Sequence, residues 1–337
     1  MDSISGPSLG YGFFDTPFKL LILGDYHSVG EDHSTSEHNC LFSFLQKASH
    51  KNKIDVYIED AEFVGYTTDL ANTFKSQRDS KCDEHGCSAW QSQEMERRVQ
   101  ASGKNTLRGA IEFLFMCGRD LRICPLKRGV VHRVDLRPRL LVRKADGTVV
   151  QMIDDRTFYL TPSNFVDRMQ LFVTNSHPQL ICMQTGVSFD VAKRVCTIMR
   201  ELFEAQPEMY KVLTEWWSHM IRNEYPPWNR VSKSFSQDYN DAWRHYHKQP
   251  DQRKNLLHLV TTNSLMDIAC IATMLKNECT SKGKFGVVYV GCAHAECIAD
   301  FFRRFGVCEE AVENAYNLRP VRKTIHFPSK SLSSAFL

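Results

Sequence analysis

Two short apolar runs, residues 18–23 and 285–290, each stop at a glycine that opens a Gly-x-x-His tetrad. The first tetrad is Gly24-Asp25-Tyr26-His27; the second is Gly291-Cys292-Ala293-His294. An apolar run this short, closed by Gly, reads as a buried strand ending in a tight turn. Strands of that kind belong to parallel sheets covered on both faces, which bind ligands beyond the carboxyl ends of their strands. Two strands that each deliver a His to one edge therefore converge on a shared site, despite their separation in the chain. Imidazole suits such a site because it is the commonest metal ligand and titrates near neutral pH.

Further strand-like runs occur at 54–58, 129–134 and 322–327. Between them lie helical patterns. Residues 37–50 set Cys40, Leu41, Phe44 and Leu45 on one face, and 106–120 do the same with Leu107, Ala110, Ile111, Leu114 and Phe115. Others span 164–173, 189–205, 207–222 and 256–277. Strands alternating with helices predict an α/β fold, with a mostly parallel central sheet, helices on both faces and a large helical insertion. The expected organisation is an α/β core over 1–157 with strands ending at Gly24, Glu59 and Asp135, a helical insertion or subdomain over 158–280, and the rest of the core over 281–337 with the second tetrad. Residues 60–91 are polar and read as a long excursion, and Tyr225-Pro226-Pro227-Trp228 breaks the helical block.

The 337 residues are 42% hydrophobic, enough to bury a full core, and a net charge of +3 gives no electrostatic footprint for nucleic acid. The twelve cysteines are scattered, often in apolar surroundings, and read as small buried hydrophobes rather than a disulfide framework. Residues 1–16 lack the pattern of a signal peptide, and no apolar stretch approaches the ~20 residues of a membrane span. The expectation is a cytoplasmic protein.

A third partner for His27 and His294 stands at another strand end. Ile54-Asp55-Val56-Tyr57-Ile58 runs into Glu59, with Asp60 next. A carboxylate there is costly to bury unless a cation or donor meets it. The run through His132 continues to Pro138, and alternation sets His132 on one face, Arg133, Asp135 and Arg137 on the other. Two His and a carboxylate with open positions form a minimal site for a hydrolytic divalent ion such as Mn, Co or Zn. In that reading His27, Glu59 and His294 are the ligands. Asp25, Asp60 or Asp135 orients an imidazole or acts as base, His132 supports the edge, and Arg137 holds a carboxylate or developing negative charge. A metal-free version has His27 or Glu59 as base and the other His polarising the electrophile.

Blander readings compete. Arg133, Asp135 and Arg137 also suit a structural ion-pair ladder. Cys82, His85 and Cys87 resemble half a zinc knuckle, without a matching second pair. His245 and His247 read as a helix surface, and Trp216, Trp217 and Met220 lie at core spacing.

Paired Gly-x-x-His tetrads, with Glu59 after the second strand, resemble the Tiki/TraB family and its erythromycin-esterase-like and haem-binding-lipoprotein-like relatives. The resemblance implies a divalent-metal-dependent hydrolase of peptide or ester bonds in which His27, Glu59 and His294 carry the site roles. The helix before the last tetrad offers Asn263 and Asp267 where relatives carry Arg, so a divergent viral or protist branch suits the chain best, in host cytoplasm or virion if viral. Two other functions remain open. One is a catalytically silent binding protein on the same fold. The other is a metallophosphoesterase, favoured by Asp25-Tyr26-His27 but lacking that signature's middle motifs.

Overall fold

The apolar runs form the strands expected of them. In a computed structural model the described residues are 3–5, 7, 9–14, 19–25, 41–61, 114, 126–136, 139–143, 149–153, 165–174, 176–223, 264–277, 284–312 and 324–326. In chain order they begin with β1 (Ser3–Ser5), β2 (Leu9–Phe13), β3 (Leu20–Asp25), α1 (Leu41–Lys51), β4 (Lys53–Ala61) and β5 (Gly129–Asp135). Then come β6 (Arg139–Arg143), β7 (Val149–Ile153), α2 (Phe165–Thr174), α3 (Pro178–Thr185), α4 (Phe189–Ala205) and α5 (Pro207–Asn223). A further helix, α6, covers 264–276. The chain closes with β8 (Lys284–Gly291), α7 (Cys292–Phe302), a 3₁₀ turn at Arg303–Phe305, β9 (Glu309–Val312) and β10 (Thr324–His326). Two compact units result: Met1–Asp60 with Tyr66–Arg133 and Cys279–Leu337, and Ala61–Gly65 with Val134–Glu278.

The first unit is an α/β sheet in the order β5-β4-β8-β3-β2-β9, with β1 and β10 forming a separate antiparallel pair. β8 is parallel to both β3 and β4, while β2 is antiparallel to β3 and to β9. Among these strands β2 alone runs against the common direction, so the sheet is mostly parallel. Leu20, Leu21, Ile22 and Leu23 are fully buried, each contributing about 1.5–3 kcal/mol relative to exposure. The chain leaves β3 through α1 to β4 on one flank, and leaves β8 through α7 to β9 on the other. Right-handed crossovers taken in opposite directions put α1 and α7 on opposite faces. Ring contacts fix the α7 face: Phe13 meets Phe302 at 6.0 Å, and the Arg303 guanidinium lies 5.1 Å from the Tyr11 ring.

The sequence pattern misses β2. It lies outside the strand-like runs, yet Leu9, Tyr11 and Phe13 alternate with Gly10 and Gly12 and are buried.

The second unit is mostly helical, with β6 and β7 pairing as an antiparallel ribbon. Its core includes Met169, Phe172, Val195, Leu202, Leu213, Trp216 and Ile271. Gln206 Nε2 donates to the Leu275 carbonyl at 2.8 Å, and Lys276 pairs with Glu201 at 2.6 Å, tying α6 to the α4–α5 corner. Among the described residues no helix is long and apolar enough to cross a membrane.

Gly186 closes α3 in the left-handed region (φ 76°), where its N–H donates to the Cys182 carbonyl at 2.9 Å. Ser188 then caps α4 by accepting from the Val191 N–H. A Cβ at Gly186 opposes that turn, so Gly186→Ala is expected to lower stability by about 1–2 kcal/mol in urea unfolding.

Candidate functional site

β3 and β8 are adjacent parallel strands whose onward connections depart to opposite flanks. Such a switch point leaves a crevice beyond the strand ends, where open α/β sheets bind ligands. The residues that end the three central strands are therefore Asp25 on β3, Gly291 on β8 and Glu59 near the end of β4.

Glu59 is buried, 3% exposed, and its Oε2 accepts a hydrogen bond from the Gly291 N–H at 2.6 Å. Its other oxygen, Oε1, lies 3.8 Å from Nε2 of His294, itself 6% exposed. The local cause is the start of α7. Gly291 is the N-cap and has no side chain to satisfy the helix's first donors, and His294 is the third helical residue. In a capping box the third residue supplies a carboxyl to the N-cap N–H. Here that residue is His, and the carboxylate arrives from β4 instead. The positive end of the α7 dipole favours the negative charge held there.

The glycine of the first tetrad has its own reason. A Cβ on Gly24 would stand 2.8 Å from Leu9 Cδ1 and 3.0 Å from the Cys292 Cα. Only a bare backbone lets the first residue of α7 sit this close to β3. Gly24→Ala is expected to cost about 1–3 kcal/mol and to displace His294, read as a lower urea midpoint and a shifted His294 imidazole resonance.

Register decides which groups share a face. Gly24 pairs with Val290, and Tyr57 pairs with Val288, so Gly24, Val290 and Glu59 face α7. Asp25 pairs with Gly291 and is buried on the opposite face from Glu59 and His294. Asp60 follows Glu59 within β4. Asp135 ends β5 and is buried, on the side of its strand opposite His132. His27 and Arg137 lie outside the described residues, as do Cys82, His85, Cys87, His245 and His247. Trp216 and Trp217 are buried in α5, with Met220 beside them.

His132 belongs to a second polar group on the α7 face of the sheet. Its ring stacks on Tyr57 (4.7 Å, 15°), and its Nε2 lies 3.5 Å from Asp55 Oδ1. Lys284 Nζ reaches the other Asp55 oxygen at 2.8 Å. The sequence reading omits Asp55 and Lys284 from its candidates. The signal was a polar residue at every second position of β4, Asp55, Tyr57 and Glu59, alternating with apolar Ile54, Val56 and Ile58.

Burial pushes the Asp55 carboxyl up, but the hydrogen bonds from His132 and Lys284 outweigh it and hold it below the ordinary value. A lowered folded-state pKa stabilises the protein above the unfolded value, and that stability is lost as pH falls through the folded one. Asp55→Asn is expected to cost about 1–3 kcal/mol at neutral pH. In acid-unfolding profiles that gap stays full above roughly pH 4 and closes below it.

Among the described residues no group of three or more His, Cys, Asp or Glu is placed to hold a metal ion. The pair Glu59–His294 does fit two ligands of one. Two metal–ligand bonds sum to about 4 Å, more than the 3.8 Å that separates Oε1 from Nε2. No family model matches this chain, and neither does any curated protein or solved structure.

Proposed function

We propose that this chain is a divalent-metal-dependent hydrolase of peptide or ester bonds, with Glu59, His294 and His27 as ligands. The observation that carries the reading is Glu59 meeting both Gly291 N–H and His294 at the switch point of the sheet. The hydrogen bond from Gly291 fixes the carboxylate and holds Oε1 3.8 Å from an imidazole nitrogen carried by the first turn of a helix. Both side chains are nearly closed to solvent, which strengthens every charge interaction between them and a substrate. A Mn, Co or Zn ion bound there would supply an acidified water and a Lewis-acid contact for the scissile carbonyl. Asp25 stands in the reading as a support from the other face of β3. Cys196, Cys270 and Cys292 are buried and form no disulfide, usage in keeping with a reducing compartment, and the reading places the protein in the cytoplasm, of a host cell if the chain is a divergent viral member.

A second reading, a catalytically silent binding protein, rests on the same hydrogen bond. A carboxylate that already caps α7 has a structural reason to be there without any ligand.

Metal analysis separates the two. Protein purified without chelator is expected to carry about one equivalent of divalent ion, lost in His27→Ala and His294→Ala while both variants keep their far-ultraviolet dichroism. Wild-type protein that stays metal-free after exposure to Mn²⁺, Co²⁺ and Zn²⁺ overturns the hydrolase and leaves the silent scaffold.

A further inference from the structure

The helical unit holds a groove of ≈ 600 Å³ where the end of α2 meets one side of α5, lined by Thr174, Tyr210, Thr214, Glu215, Ser218 and His219 among others. Three of its hydroxyl protons are already committed to backbone carbonyls. Tyr210 Oη donates to Val173 at 2.6 Å, Thr174 Oγ1 to Gln170 at 3.0 Å, and Thr214 Oγ1 to Lys211 at 2.9 Å. A hydroxyl that has given its proton away offers only lone pairs to a ligand. Burial pushes the Tyr210 phenol up, so its proton stays in place.

Two further features have the same sign. Glu215 is exposed, and an ionised carboxylate only accepts. Thr174 is the last residue of α2, a helix with no basic side chain in its final turn, so its negative pole is unopposed from within the helix. The groove thus presents several hydrogen-bond acceptors, one of them a carboxylate, in a volume suited to a small molecule.

We infer that this groove binds a small linear oligoamine, whose primary ammonium groups donate to the oxygens of Tyr210, Thr214 and Glu215. The chain's net charge of +3 supplies no general attraction for a polycation, so saturable binding reports a local site.

The test is calorimetric titration of the full chain with spermidine at 150 mM salt. One saturable site is expected, weakened at least about fivefold by Glu215→Gln and by Thr214→Val, with no heat from triethylene glycol, a neutral chain of similar length. Both substitutions lie on the accessible side of α5, and circular dichroism verifies that each variant is folded. Absence of saturable binding, equal affinity in both variants, or equal binding of the neutral chain overturns the proposal.

Discussion

A buried carboxylate is among the most expensive groups to place in an apolar interior, and this sheet places Glu59 at its carboxyl edge, 3% exposed. Glu59 remains there because Gly291 donates its N–H and the start of α7 lends a positive pole. That single contact joins β4, β8 and α7, and it aims His294 at the same carboxylate. Much else follows from it. Gly291 must be able to act as a bare N-cap, and Gly24 must leave room for the helix to begin where it does.

The same logic runs back along β4. Asp55, Tyr57 and Glu59 point to one face of the strand, and Ile54, Val56 and Ile58, buried and apolar, to the other. Each polar member is answered from a neighbouring strand or helix: Asp55 by Lys284 and His132, Tyr57 by the His132 ring, Glu59 by Gly291 and His294. A one-residue slip of β4 would turn all three to the opposite face and strand their partners. The polar row therefore defines the register of the parallel core more sharply than apolar packing does alone.

The α/β class was legible because buried parallel strands leave unbroken apolar runs, as residues 20–23 and 285–290 do. Glu59 and His294 were legible for a related reason, since polar residues directly after such runs stand out. Lys284 was not, because a lysine heading a strand reads as a solvated end. Nor was β2, where glycines at alternate positions hide a three-residue apolar face. The face of Asp25 was beyond the sequence altogether, because it depends on the pairing of β3 with β8.

The position of β8 has a consequence for how the chain acquires its shape. β3 and β4 follow one another in the chain, yet they do not touch; the strand that fills the gap between them is synthesised only after the helical unit. Glu59 and its partner Gly291 stand 232 residues apart. Until that partner emerges, two apolar strands have open edges facing a vacant slot. Closing it means bringing together distant parts of the chain, which slows folding and lengthens exposure to aggregation. The whole helical unit is made during that wait, so the sheet is completed from the inside, by its central strand arriving late.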